Sequence, residues 1–385
     1  MDRVQRWLDV ARWSPSGGNA QPWQVRVNRK KHEIELRIEI SDEYRKDPSP
    51  MDVEGVASVI ALGAFVRSLR YVCANDGFEV SSVEFDFKNV HWQTAVVLKM
   101  SPHGSSFSVA QMAGGYTNLE IESRRTDRLA YSASPLASEF LVDIRSLVEG
   151  FPAIRSREFN SYSETTKEDV LISLKAAERV RWRNPVLLEG LLREISFVSA
   201  KKSRKIPASQ LGVSKIDQAL LQAMKRWPVL RAAFQTPLVE IPVRRALREF
   251  HRGSSCLMFL ELSSSRSQPK QEDEFRALFE LGECFQTIWL EANRRGVSLQ
   301  PLGLPLVVLG LWRDPGSFSF SLADKAALER VTDEFRERFQ LNLKSPVIGF
   351  RLGKTLELAP RAPRDEVSVV SLSEARLGFR GERDL

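Results

Sequence analysis

The 385-residue sequence predicts an α+β fold built from two half-units of similar layout. Strand-like and helix-like segments mix without the regular βα repeat of a doubly wound sheet. Each half carries, in order, a leading helix, a strand region, one long apolar helix and further strands, although no high-identity repeat accompanies this symmetry. A Gly/Ser-rich stretch, 101–118, separates the two halves. The expected division is therefore 1–117 and 118–385.

Residues 2–13 (DRVQRWLDVARW) read as a helix with Val4, Leu8 and Ala11 on one face. It must stop before Pro15, because the residue preceding proline avoids the helical region. Residues 25–27 and 33–40 read as two strands joined by 28–32, and EIELRIEI in the second alternates strictly. Residues 54–73 read as a mostly buried helix, 78–87 and 94–100 as strands. A fresh start follows at 119–131. Helices are expected over 135–149 and 165–180. The stretch 181–245 is rich in Arg, Leu and Pro and shows no clear period. It is expected to be partly helical and to form a lid, 181–250. Cys256–Leu262 reads as a buried strand. Residues 273–295 give the clearest helix, with Phe275, Leu278, Phe285, Ile288, Trp289 and Ala292 at 3.6-residue spacing and Gly296 placed to stop it. Strands are expected at 306–311 and 347–352, with a helix 322–339 between them.

Composition narrows the function classes. With 43% hydrophobic and 27% charged residues the chain reads as a soluble globular protein. No apolar run is read as reaching the roughly 18 residues of a membrane span, and MDRVQRWLDV has no signal-like apolar core. The expectation is a cytoplasmic protein with no membrane partner. Three cysteines (Cys73, Cys256, Cys284) are odd in number and far apart, so no disulfide framework or CxxC site is read. Four histidines (His32, His91, His103, His251) show no ligand spacing, which leaves little for a metal site or a histidine-based triad. The net charge of +7 is scattered and comes with no nucleic-acid module, so no nucleic-acid partner is expected. An excess of arginine also suits a phosphate-bearing cofactor.

Three stretches could carry chemistry. In SPSGGNAQPW (14–23), Gly17 and Gly18 let the backbone approach a flat or charged group. Ser16, Asn19 and Gln21 bring donors and acceptors, and Trp23 can anchor the loop. The same composition also suits a plain turn. RRTDR (124–128) puts three arginines and a hydroxyl just ahead of a helix, as an anion clamp or a solvated basic run. FRLG (350–353) followed by PRAPR (360–364) is a strand leading into a basic segment, which grips phosphate or forms a solvated tail.

The order P-S-x-x-N-x-Q-P-W, at Pro15, Ser16, Asn19, Gln21, Pro22 and Trp23, resembles the signature of the nitroreductase family, flavin-dependent homodimeric oxidoreductases. Arg124, Thr126 and Arg128 match that family's R-x-[ST]-x-[RK] opening. PRAPR is similar to its closing basic motif, though more widely spaced than the usual K-x-R. LGECFQTIWLEANRRGVSLQPLG is similar to its long helix and the turn after it. The resemblance implies a nitroreductase-like fold that binds flavin mononucleotide (FMN). The loop residues Pro15, Ser16, Asn19 and Gln21 would reach the flavin. Arg124 and Thr126 would contact phosphate or ribityl, and Arg128 the pyrimidine edge, where a cation stabilises charge at N1. Arg361 and Arg364 are the further phosphate candidates. The backbone of Leu302 and Gly303 would face N5 and stand nearest the chemistry.

In single-repeat members the basic motif precedes the loop. Here the first half has the loop without RxTxR, and the second has RRTDR without a second loop. The resemblance therefore implies two fused half-units forming an intramolecular pseudo-dimer with one flavin site. The chain would act as a monomer in this sense, with further pairing left open. The layout, including R-x-D-P at Arg45 to Pro48, looks most like the tandem, Acg-type branch. The implied activity is NADH- or NADPH-driven, ping-pong reduction of a small nitro-aromatic, quinone or activated double bond. The competing expectation is a non-catalytic FMN-binding, storage or regulatory flavoprotein whose lid excludes nicotinamide.

Overall fold

A computed structural model describes residues 2–29, 33–87, 93–102, 115–132, 134–160, 164–198, 201–232, 236–247, 255–263, 271–302, 320–341, 346–355 and 357–371. The first sheet is formed by β1 (Trp23–Arg29), β2 (Ile34–Ile40), β3 (Phe78–Asp86) and β4 (Ala95–Pro102). Its order is β1-β2-β4-β3, and every pair is antiparallel. Alternation makes β2 a strand: Leu36, Ile38 and Ile40 are buried, and Val25 and Val27 of β1 stand opposite Ile38 and Leu36. The helix Arg3–Ala11 precedes this sheet, and the helix Val56–Asn75 links β2 to β3.

The second sheet repeats the arrangement. It contains β5 (Ile154–Asn160), then, beyond a short parallel pair β6 (Ile195–Ser196) and β7 (Ile206–Pro207), the strands β8 (Cys256–Leu262), β9 (Ser298–Leu302) and β10 (Val347–Gly353). Its order is β5-β8-β10-β9, again antiparallel throughout. In each sheet the first and second strands pair, the fourth follows, and the third takes the edge. The helix Ser138–Glu149 leads in, and the helix Gln271–Arg294 links β8 to β9. A final strand, β11 (Ser368–Ser371), returns to the first sheet and runs parallel to β1, with Gln24 opposite Ser368.

The two sheets differ at two connections. The helix Leu322–Phe339 lies between β9 and β10, whereas β3 and β4 are close in sequence. β1 and β2 are close in sequence, whereas β5 and β8 are separated by a helical insertion. Its helices Glu164–Arg183, Pro185–Arg193, Lys215–Arg226 and Glu240–Ala246 share a small core of their own, including Trp182, Leu188, Met224 and Val243. The stretch 181–245 showed no period because it is broken into short helices. Leu322–Phe339, the last helix, packs on Glu164–Arg183, and Phe259 of β8 meets Phe335 and Phe339 at 5.9 and 5.8 Å.

The two long helices cross at Gly63 and Gly282. A Cβ on Gly63 would lie 2.0 Å from the Phe279 carbonyl oxygen and 3.2 Å from the Glu283 nitrogen. A Cβ on Gly282 would lie 2.0 Å from the Ile60 oxygen and 3.0 Å from the Ala64 nitrogen. The contact is reciprocal: each glycine touches the residues three before and one after the other. Beside it Ser68 Oγ accepts from Gln286 Nε2 (2.8 Å) and from Ser14 Oγ (2.7 Å), while Gln286 Oε1 is buried without a partner among the described residues.

Several expectations need correction. The helix expected at 54–73 begins at Val56, because the Asp52 carboxylate accepts from the Ala57 and Ser58 amides (2.8 and 3.2 Å) after Gly55 turns with φ of 77°. This segment, Val53–Asn75, is also long and apolar enough to cross a bilayer, against the expectation that none is; 78% of its most apolar 18-residue stretch is buried here, under the first sheet and the second long helix. The start expected over 119–131 is a short helix, Asn118–Ser123, followed by extended chain. Strands β5 and β9 were missed. β9 contains Pro301, which argues against a central strand, but β9 is an edge strand, where proline is tolerated. The strand expected at 306–311 and all four histidines lie outside the described residues. All three cysteines are buried and none is in a disulfide, and among the described residues no cluster could hold a metal ion.

Candidate functional site

A cavity of about 450 Å³ opens between the opening loop, the basic segment, the insertion and the C-terminal segment. Pro15, Ser16 and Asn19 line it from the opening loop, and Arg124, Thr126 and Arg128 from the basic segment. Leu302 closes the end of β9, and Arg361 and Arg364 approach from the C-terminal segment. Gln21 stands directly behind Asn19, to whose carbonyl its Nε2 donates at 3.0 Å. Gly303 lies outside the described residues. Motifs up to 350 residues apart in sequence thus meet at one site.

The basic segment is held by the second sheet. The Asp127 amide donates to the Leu299 carbonyl (3.3 Å), and the Asp127 carboxylate accepts from Ser298 Oγ (3.2 Å). Tyr131 donates its hydroxyl proton to the Asp127 carbonyl (2.9 Å). Arg351, wholly buried in β10, donates to the Leu129 carbonyl and to Gln300 Oε1, both at 2.8 Å. This scaffolding fixes where Arg124 and Arg128 point.

Arg124 is 3% exposed, and Arg364 8%. Arg124 donates through Nε and Nη2 to the Trp13 carbonyl (3.0 and 2.6 Å) and lies 4.3 Å over the Trp289 ring. Its Nη1 is buried without a hydrogen-bond partner among the described residues. Arg364 donates through Nη1 to Asn19 Oδ1, while its Nε is likewise unpartnered. Burial, and then the charge of Arg364, depress the Arg124 pKa well below its ordinary value; burial alone takes Arg364 down to about 9. Arginine does not surrender its proton in proteins, so the depression measures how costly these buried cations are. An anion between them would relieve that cost. Arg128 is lowered to about 10 by burial, which the neighbouring Tyr131 and Asp127 partly offset. Arg361 differs: it is exposed, stacks 4.3 Å over Trp13 and donates to the Glu122 carbonyl. Of the two C-terminal candidates, Arg364 has the unpaired buried donor.

The polar loop residues face the protein. Asn19 Nδ2 lies within hydrogen-bond distance of the carbonyls of Ser203 (3.1 Å), Lys205 (3.1 Å) and Pro363 (3.0 Å). Gln21 Nε2 donates to the Ser203 carbonyl (2.9 Å), and its Oε1 accepts from the Asp365 amide (2.8 Å). Ser16 Oγ accepts from the Gln21 amide (3.0 Å). The two amide side chains therefore seat the insertion and the C-terminal segment on the loop. Gln210 of the insertion adds a bond to the Arg361 carbonyl (2.7 Å) and accepts from Arg128 Nη1 (3.2 Å). Asn19, at φ of 62°, is a residue type that tolerates the left-handed region. Asn19→Ala is expected to leave the fold intact but raise amide hydrogen exchange across 201–206 about tenfold, for a loss near 1.4 kcal/mol. Unchanged exchange there would refute this seating role.

Sequence reasoning missed the acidic wall. Asp52 and Glu194 line the cavity opposite the described basic motifs in chemical character, with Tyr44 beside them. Phe285 and Trp289, read only as core, also reach it. Their spacing on the long helix carried a packing signal that concealed this second role. Glu194 sits in the aperiodic insertion and had no signal.

No family model matches the chain. Among curated proteins, it is 24% identical over 335 residues to the Uncharacterized protein MT1398 of Mycobacterium tuberculosis (strain CDC 1551 / Oshkosh), a match covering 84% of this chain. The chain spans 42% of that relative's length. Among solved structures it is similar to a nitroreductase with bound FMN from Desulfitobacterium hafniense DCB-2: TM-score 0.33, 14% identity, covering 64% of this chain and 93% of that one. It is also similar to the FMN-dependent nitroreductase NfnB from Mycobacterium smegmatis in complex with NADPH: TM-score 0.34, 14% identity, covering 66% and 96%. TM-scores this low assign neither a fold nor a residue's role to the chain.

Proposed function

We propose that the chain is an FMN-dependent oxidoreductase of the nitroreductase type, with two fused half-units, 1–117 and 118–385, building one cofactor site as in the tandem, Acg-type branch. The observation that carries it is the pair of buried arginines, Arg124 and Arg364, whose unpaired Nη1 and Nε atoms lie in residues lining the cavity shared with the Ser-Gly-Gly-Asn loop. A cofactor phosphate fits that need. Thr126 and Arg128 line the same cavity, and the backbone at Leu302 would face the reacting group. When bound, FMN would supply hydride transfer from NADH or NADPH to a nitro-aromatic, quinone or activated double bond. The chain's own work is to hold the anion, position the flat group and limit water. Supporting the fusion are the shared strand order, the reciprocal crossing at Gly63 and Gly282, and the return of β11 to the first sheet. Reciprocal contacts are what a two-fold interface produces.

A second reading is favoured by the bonds from Asn19, Gln21 and Gln210 that tie the insertion and C-terminal segment together over the loop. In that reading the chain binds FMN for storage or regulation and excludes nicotinamide. Both are tested by purifying the protein without added cofactor and recording its visible spectrum before and after denaturation. About one FMN released per chain is expected. Anaerobic NADH or NADPH should then bleach it in the enzyme and leave it yellow in the store. A colourless protein that takes up no added FMN would refute both.

A further inference from the structure

Reducing a nitro group consumes a proton as well as a hydride. Among the described residues three carboxylates line the cavity, and two are already committed. Asp52 accepts from the Ala57 and Ser58 amides, from Ser58 Oγ and from the Tyr44 hydroxyl. Glu178 is paired with Arg181 at 2.5 Å. Glu194 is different. Its Oε1 accepts from Ser49 Oγ at 2.6 Å, and its Oε2 has no hydrogen-bond partner among the described residues. The carboxyl rests on the opening loop: a Cβ on Gly18 would lie 2.5 Å from Glu194 Cδ and 2.8 Å from Oε2. A side chain at position 18 would push this carboxyl aside. Its main-chain carbonyl accepts from the Ile206 amide (2.8 Å), so the group is presented by the insertion.

We propose that Glu194 is the proton donor of this site, with its Oε2–H delivering the proton that the acceptor takes up with each hydride. The proposal rests on the flavin-oxidoreductase reading. Burial raises the Glu194 pKa; the Ser49 bond and the charges of Arg181 and Arg193 pull it back, and the charge of Asp52 adds to the rise. The net direction is upward, as a general acid requires. With nitrobenzene as acceptor the balance is simple. One hydride originates on a reduced nicotinamide, which leaves oxidised, and ends as one O–H bond on a nitro oxygen. The Glu194 Oε2–H bond breaks, its proton forms the second O–H bond on that oxygen, the N–O bond breaks, and water leaves with nitrosobenzene. The carboxylate left behind is reprotonated by solvent.

Glu194→Gln keeps the shape and the acceptor for Ser49 but holds no transferable proton. It should keep wild-type FMN content and wild-type bleaching by NADPH, while nitrobenzene reduction falls about 100-fold. In the wild type that rate should fall as pH rises through the Glu194 pKa; in the variant this limb should vanish. Glu194→Asp should restore part of the rate. An independent readout is infrared spectroscopy of the cofactor-free protein, where a protonated-carboxyl band at neutral pH should be lost in Glu194→Gln. Wild-type reduction rates in Glu194→Gln with FMN retained, or no protonated carboxyl at neutral pH, would overturn the proposal. A wild-type protein that takes up no FMN overturns the flavin reading beneath it, and the FMN count tells the two failures apart.

Discussion

Arg364→Met is expected to weaken FMN binding about 10- to 100-fold without lowering the stability of the cofactor-free protein. The two effects have opposite signs because of where the charge sits. Arg364 is buried, close enough to Arg124 for their charges to oppose, and its Nε has no partner. Without an anion, such a cation is a cost of folding, and a methionine of similar length removes it. The change leaves one bond to Asn19 unmade, a loss of about 1 kcal/mol that relief of the buried charge offsets. With an anion bound, the same guanidinium contributes charge-assisted hydrogen bonds of roughly 1.5–3 kcal/mol, so its loss weakens FMN about 10- to 100-fold. Arg124→Met should weaken FMN similarly but also destabilise the fold, since Trp13 loses two donors and Trp289 its stacked cation. The double variant should fall short of the sum, because both groups serve one anion. Thermal melts with and without FMN check all of this: FMN should raise the wild-type melting temperature by linkage and leave Arg364→Met nearly unmoved. Wild-type FMN affinity in Arg364→Met would refute the phosphate assignment.

What the sequence made legible divides along physical lines. Strict alternation in 33–40 and the 3.6-residue apolar spacing in 273–295 are local patterns, and both elements appear where they were expected. β5 and β9 lie on sheet edges, where one face is less demanding and residues such as Pro301 are allowed, so their patterns were weak. The helices of 181–245 share a small core in pieces too short to show a period. The site was legible where side-chain types cluster: Ser16, Asn19, Arg124, Thr126, Arg128 and Arg364 do meet at one cavity. Gln21 is set back from it, and Asn19 and Gln21 bond main-chain carbonyls of the insertion, groups that leave no trace in side-chain identity. Glu194 reaches the loop only through tertiary folding, against a glycine whose role read as flexibility rather than room.

Gly63→Ala and Gly282→Ala are each expected to destabilise the protein strongly, although both sit inside long helices. Helix propensity alone argues the other way, favouring alanine by roughly 1 kcal/mol. Sterics decides the sign. Each new Cβ would lie 2.0 Å from a carbonyl oxygen of the opposite helix, and neither partner is a side chain that can swing away. The helices must part, which loosens the Ser68–Gln286 bond and the surrounding core. The loss should exceed the roughly 1–3 kcal/mol of ordinary overpacking, because backbone rather than a rotamer has to move. Gly77→Ala is the control: φ of 77° strains it, but nothing lies within 4 Å, so only a conformational cost of about 1 kcal/mol remains. Urea unfolding measures all of these. The reciprocal geometry adds a sharper expectation. Once Gly63→Ala has separated the helices, the Cβ of Gly282→Ala meets a gap already opened, so the double variant should lose much less than the sum. Equal single losses with strong non-additivity are what one shared contact produces. Stabilisation by either single substitution would mean that the helices do not meet at these glycines, and the reciprocal crossing that supports two fused half-units would fall with it.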